Sequence, residues 1–242
     1  MKLLIARHAD PDYEHDSLTE VGKIEAELLA ARLQSVPADR YYVSPLGRAQ
    51  ETAAAALKRI GKTAEMRPWL REFDPLIPRP DCQTPAIAWD WLPADWTADS
   101  RYYDKDAWCM TEIMRAGGVP EKAAEVSAGI DALLAEHGYL RENGYYRVRE
   151  ANEKTLVFFC HFGVECVILG HLLGVSPMVL WHGFCAAPSS LTTVITEERR
   201  PGIACFRVNA FGDVSHLLSA GRTPSFSARF CETYENFSQR HD

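Results

Sequence analysis

No stretch of the sequence approaches the ~20 consecutive apolar residues that a membrane-spanning helix needs. The apolar run at the start, Leu3 to Ala6, is too short for the h-region of a signal peptide. A basic excess is also missing: 26 lysines and arginines face 33 aspartates and glutamates, a net charge of −7. With no run or surplus of cations to neutralise phosphates in bulk, neither nucleic acid nor an anionic membrane surface is expected as a partner. A small phosphorylated ligand stays admissible, because a few local arginines suffice for it. The sequence has no C-x-x-C pair and no H-x-x-x-H or H-E-x-x-H spacing, which argues against a zinc ribbon and against a histidine-based metal site. The seven cysteines are odd in number and scattered, so reduced thiols in a cytoplasmic protein are the simpler expectation than a disulfide framework. What remains is ordinary for a globular chain. With 47% hydrophobic and 24% charged residues over 242, it suits one full core, or one domain carrying a large insertion.

Strand and helix signals alternate along the chain. Leu3-Leu4-Ile5 reads as a buried strand. Ser17 or Thr19 can cap a helix, with Glu20 placed for a capping box and Val21, Ile24, Leu28 and Ala31 on one helical face. Arg40 to Val43 reads as a second strand, and Ser44-Pro45 as an N-cap with proline opening the next helix. Residues 73–118 are rich in proline, tryptophan and tyrosine, too aromatic for disorder, and read as an insertion. Pro120 opens a helix with Val126, Ile130, Leu133 and Leu134 facing inward. Asn143-Gly144 marks a hairpin. Thr155 to Cys160 (TLVFFC) is apolar throughout, as a central strand covered on both faces should be. Phe162 to Leu173 returns to helix and Gly174 ends it. Ser190 to Thr196 and Ile203 to Val208 read as further strands. Phe226, Phe230, Tyr234 and Phe237 form a stripe at helical spacing, packed on the body or offered to a second copy as a homodimer contact. The alternation predicts an α/β three-layer sandwich, with a largely parallel central sheet flanked by helices, in a single domain over 1–242.

Three strand ends carry unusual residues. The first ends in Arg7-His8, the second leads through Ser44-Pro45 to Arg48, and TLVFFC ends in His161. Ligands of open α/β sheets bind outside the carboxyl ends of the strands, so two arginines and two histidines converge on one rim, where helix N-termini add free N–H groups. That is a site for a tetrahedral dianion. The planar fork of arginine gives paired charge-assisted hydrogen bonds to phosphate oxygens. The same two cations oppose protonation of a neighbouring imidazole, which keeps it nucleophilic. Glu72, amid Trp69, Leu70 and Phe73, is a candidate proton donor because desolvation raises a carboxyl pKa. It could instead pair with Arg71, leaving Asp74 or an acid of the loop 10–16 to donate.

Taken together and in order, these segments resemble the histidine phosphatase superfamily, the phosphoglycerate-mutase-like proteins. The family's Arg-His-Gly is Arg7-His8-Ala9 here, and its Leu-Thr-x-x-Gly helix start is Leu18-Thr19-Glu20-Val21-Gly22. Its Ser-Pro-x-x-Arg-x-x-x-Thr motif runs from Ser44 to Thr52, its Leu-x-Glu is Leu70-Arg71-Glu72, and its late His-Gly motif corresponds to His161-Phe162-Gly163. The resemblance implies His8 as a phosphorylated nucleophile, Arg7, Arg48 and His161 as the phosphate pocket, Glu72 as proton donor, and a metal-independent cycle in which water attacks the phosphohistidine. No cofactor is implied, and the implied ligand is a small phosphorylated metabolite.

Two departures bear on the activity. Ala9 stands where the family has glycine, which is mild if the backbone there avoids positive φ. The loop 10–16 is acidic and lacks the tryptophan-asparagine pair of many mutases, and only Arg79 follows Glu72 as a cation. A mutase must hold a second anionic group, so a phosphatase is favoured over a phosphomutase, although an insertion this long suits a mutase. A non-catalytic phospholigand-binding protein on the same fold is the third reading. His171 and His182 are expected to be structural, and Cys160 a buried strand thiol. The tryptophans of the insertion form either a small core of their own or a lid over an apolar or ring-bearing leaving group.

Overall fold

The computed structural model describes residues 1–227. The first strand, β1 (Lys2–Arg7), leads into a short ladder of β2 (Pro11–Asp12) with β3 (Ser17–Leu18), then α1 (Glu20–Gln34), β4 (Arg40–Val43), α2 (Gly47–Ile60) and β5 (Glu65–Met66). The stretch that follows holds only short elements: β6 (Leu76–Ile77) paired with β7 (Ala86–Ile87), α3 (Pro93–Trp96) and α4 (Glu112–Ala116). Regular structure resumes with α5 (Val119–Glu136), the hairpin of β8 (Tyr139–Glu142) and β9 (Tyr145–Val148), β10 (Thr155–Cys160) and α6 (Phe162–Leu173). Last come α7 (Pro177–Gly183), β11 (Leu191–Arg200), β12 (Ile203–Asp213) and α8 (Ser215–Ser219).

One sheet of eight strands, ordered β5-β4-β10-β1-β11-β12-β9-β8, runs through the molecule. The four strands from β5 to β1 are mutually parallel, the parallel core that the alternation predicts. From β11 onward the pairing is antiparallel, because hairpins join β8 to β9 and β11 to β12. Side chains alternate across a strand, and here the alternation sorts the core into two clusters. Leu3, Ile5, Leu156 and Phe158 join Val126 and Ile130 of α5 and Val164 and Ile168 of α6. Leu4, Ala6, Val157 and Phe159 join Leu29 and Leu33 of α1 and Ala53 and Ala56 of α2. Helices thus cover both faces, which is why all of TLVFFC is buried.

Three local expectations need correction. The inward face of α1 is Gly22, Ala26, Leu29, Ala30 and Leu33, while Val21 and Ile24 are exposed. The small residues set that face: a Cβ on Gly22 would lie 2.2 Å from the Asp10 carbonyl oxygen, so the helix seats on backbone that a larger residue would push away. Of the two candidate caps, Thr19 is the one used, its hydroxyl accepting from the Gly22 N–H. Ser44 does not cap α2, which begins at Gly47. Its N-terminus is instead held from a distance by Asp16, whose Oδ2 accepts from the Gly47 N–H at 2.7 Å. Finally, the buried tryptophans 89, 91 and 108 belong to the same cluster as Leu3 and Phe158 rather than to a separate small core. Of the tail stripe, Phe230, Tyr234 and Phe237 lie outside the described residues.

Candidate active site

Register decides what meets at the rim. Arg7 pairs with Cys160 across β1 and β10, and Val43 with Phe159 across β10 and β4. His8 and His161 therefore emerge level with each other, and Ser44, level with Arg7 and Cys160, stands one residue below them. Backbone hydrogen bonds from His8 N–H to the Cys160 oxygen and from Ser44 N–H to the Phe159 oxygen, both 2.9 Å, carry the ladder to its last rung. The helices α2 and α6 start from this rim, so the N–H groups of their first turns face it.

The His8 ring is 1% exposed, and its centroid lies 5.1 Å from that of His161. Nδ1 lies 2.8 Å from the Ala9 carbonyl oxygen. A carbonyl can only accept, so Nδ1 carries the proton and Nε2 keeps its lone pair. Burial, reinforced by the Arg7 and Arg48 charges, holds the His8 pKa well below the usual histidine value. The backbone around it is pinned. Ala9 lies outside the left-handed region, which removes the concern over the missing glycine, and its N–H donates to Thr52 Oγ1 at 3.0 Å. The same hydroxyl donates to the Arg48 carbonyl. Ser189, at φ 58°, donates its N–H to the His8 carbonyl, a strained residue beside a functional group.

Arg7 is 2% exposed, and its guanidinium donates to the carbonyl oxygens of Ala186 and, at 3.4 Å, Ser227. Arg48 donates to Asp16 Oδ1 at 2.6 Å and lies over the Tyr13 ring at 5.3 Å. Its Nε has no hydrogen-bond partner among the described residues. The acidic loop 10–16 therefore reaches the wall of the pocket. His161 is fully buried, with Nε2 2.7 Å from Ser44 Oγ. That oxygen also accepts from the Leu46 N–H; in the tautomer where its own proton goes to Nε2, the His161 proton sits on Nδ1. Nδ1 is buried and has no partner among the described residues, which leaves a donor waiting for an acceptor. Burial and then electrostatic coupling to the neighbouring His8, Arg48 and Arg7 depress the His161 pKa well below its usual value.

Glu72 docks on the start of α6. Its Oε1 accepts from the N–H groups of Phe73 (2.7 Å) and Val164 (3.0 Å), and Oε2 from that of Gly163 (3.3 Å). Burial raises its pKa, opposed by those N–H groups and by Arg48 and Arg7. It does not pair with Arg71, which binds the exposed Asp74 instead. Gly163 permits this docking: a Cβ there would lie 2.7 Å from both Glu72 Oε1 and Trp89 Nε1.

All five residues singled out in the sequence (Arg7, His8, Arg48, Glu72 and His161) thus gather around one rim. Sequence reasoning missed the roles of Ser44 and Thr52, although both stand inside the Ser44–Thr52 motif. It also missed Asp16 and the buried Glu165, for which no local signal exists. Elsewhere the expected bystanders are structural: His171 pairs with Asp131 at 2.9 Å, and His182 bonds Met178 and Trp91 backbone. Burial pushes the Cys160 thiol well above its usual pKa. Among the described residues, no group of three or more His, Cys, Asp or Glu could hold a metal ion, six cysteines are free thiols, and no helix is long and apolar enough to cross a membrane.

No curated protein matches the sequence. Solved structures resemble the fold. They include a phosphoserine phosphatase of Entamoeba histolytica (19% identity, 89% of this chain and 98% of that one, TM-score 0.57) and a mycobacterial glucosyl-3-phosphoglycerate phosphatase (20%, 87% and 98%, 0.55). The α-ribazole phosphatase of Shigella flexneri is similar as well (20%, 88% and 96%, 0.55). The sequence profile of the histidine phosphatase superfamily, branch 1, matches residues 3–209. The chain belongs to the histidine phosphatase superfamily.

Proposed function

We propose that the chain is a phosphomonoesterase that hydrolyses a small phosphorylated metabolite through a phosphohistidine at His8. The observation that carries this reading is the His8 ring itself. It is fixed through Nδ1 on the Ala9 carbonyl, unprotonated at Nε2, and buried with His161 between two arginines. Nε2 attacks phosphorus in line as the ester P–O bond breaks. Arg7, Arg48 and the Nδ1–H of His161 hold the three equatorial oxygens while charge redistributes among them. Glu72, whose pKa burial raises, gives its proton to the departing alkoxide. A water then attacks the phosphohistidine, the Glu72 carboxylate takes the proton from that water, the P–N bond breaks, and His8 and inorganic phosphate are restored. Two arginines beside the nucleophile repel a cation, so the scheme uses no metal.

The mutase alternative is disfavoured. Arg79, the cation nearest Glu72 in sequence, is engaged by Asp81 at 2.7 Å and by the Trp89 carbonyl. Asp16 places a carboxylate against the pocket, where a second anionic group on the substrate meets repulsion. The test is phosphate release from a panel of phosphorylated metabolites with EDTA present, wild type beside His8→Ala, together with acid-labile labelling of the protein by a turned-over substrate. Turnover and labelling by wild type alone support the reading; turnover that survives His8→Ala overturns it.

A further inference from the structure

A cavity of about 340 Å3 opens between the insertion and α7, lined by Trp91, Trp96, Trp181, His182, Phe184 and Cys185. Its walls are set in place. Trp181 and Trp91 are buried, each with its indole N–H on a carbonyl, Gly163 and Ala88 respectively. Trp96 stacks on His182 with centroids 4.8 Å apart and planes 19° from parallel, and Tyr103 packs on Trp96 at 5.0 Å.

Two links join this cavity to the catalytic rim. The Trp181 indole bonds the carbonyl of Gly163, whose N–H bonds Glu72. Cys185 directly precedes Ala186, whose carbonyl holds Arg7. One wall thus adjoins the proton donor and another the phosphate-binding cation.

Charge narrows what fits. The described lining contains no lysine or arginine, and its one carboxyl side chain is that of Asp90. His182 supplies no cation, because Nδ1 donates to the Met178 carbonyl and Nε2 accepts from the Trp91 N–H; protonation would sever the second bond. Flat rings offer stacking and edge contacts to another ring. Since a cavity of roughly 150 Å3 takes a benzene ring, this one has room for a ring and a short linker.

We propose that this cavity is the leaving-group subsite and that the substrate's alcohol carries an uncharged planar ring. The inference rests on the phosphatase reading above. It is tested with propyl phosphate, phenylpropyl phosphate and phosphoglycerate, whose leaving groups are all alkoxides, so that alcohol acidity does not confound the comparison. Wild type prefers the phenylpropyl ester over the propyl ester by at least about tenfold in kcat/KM and turns over phosphoglycerate more slowly than either. Trp96→Ala, and separately Phe184→Ala at an exposed position, reduce that preference by roughly three- to tenfold, the loss falling on the phenylpropyl ester, while vanadate inhibition reports on the rim at His8. Equal kcat/KM for the two alkyl esters, or equal losses on both in the variants, overturns the subsite while the phosphatase reading stands. If no ester is turned over, that reading fails and binding decides the subsite. Phenylbutylphosphonate then binds tighter than butylphosphonate to wild type but not to Trp96→Ala, and equal binding overturns the proposal.

Discussion

Replacing Glu165 by glutamine should stabilise the protein at neutral and alkaline pH, and the size of the effect follows from its surroundings. Glu165 lies in the first turn of α6, 1% exposed, and its Oε1 has no hydrogen-bond partner among the described residues. Burial pushes its pKa from 4.5 up to about 7, against the pull of the Thr192 hydroxyl and of Arg7. Between those two pH values the folded chain keeps a proton that the unfolded chain has released, so stability falls as pH rises through the window. A shift of 2.5 units, the difference between 7 and 4.5, at ~1.4 kcal/mol per unit, is roughly 3 kcal/mol. The contribution is present in full below the unfolded value and gone above the folded one. Glutamine has the same shape and never ionises, so the variant escapes the loss. Urea denaturation at about pH 5 and about pH 8 reads this as a difference of differences. The variant gains about 2.5 kcal/mol on wild type between the two conditions, a little less than the whole because pH 5 already lies inside the window, whatever fixed cost the amide adds at both. A stability difference that stays constant across the window refutes the reasoning.

Four further outcomes are expected. Glu72→Gln lowers turnover of alkyl phosphates by roughly 10²–10³ but that of nitrophenyl phosphate by less than about tenfold, because nitrophenolate leaves without a proton; equal losses count against Glu72 as the acid. Ser44→Ala strips His161 Nε2 of its partner and raises the vanadate inhibition constant about tenfold, the effect of ~1.4 kcal/mol for an orphaned buried group. Gly163→Ala, whose methyl meets Glu72 and Trp89 at 2.7 Å, reproduces the leaving-group selectivity of Glu72→Gln at near-unchanged vanadate affinity. Asp16→Ala removes the clamp on Gly47 and Arg48, for about 1–2 kcal/mol of stability read from the urea midpoint.

The parts legible in the sequence were those with a short-range cause. TLVFFC is a central strand because nothing in it tolerates water, and Gly174 ends α6 because it sits at φ 68°. His8, Arg48 and His161 announce themselves by standing where strands stop. What stayed hidden depends on contacts between distant residues. The face of α1 was misassigned because its bulky Val21 and Ile24 point outward while Gly22 seats on Asp10. The clamp on α2 comes from Asp16, 31 residues upstream, where the serine next door looked sufficient. The insertion's tryptophans carry no periodicity that says which core they join.

The central place of β1 has a consequence for how the chain is made. Lys2 pairs with Thr155 on one side and Ile195 on the other, so β1 leaves the ribosome 153 residues ahead of its nearer neighbour. At ~5–20 residues per second, Leu3-Leu4-Ile5 waits roughly 8–30 s without a sheet to join. Such long-range pairing is slow to form and exposed to aggregation meanwhile. A product that stops short of Thr155 keeps β1 and the nucleophile behind it, but has no β10 on which to align them. Partial chains are therefore expected to be insoluble rather than partly active.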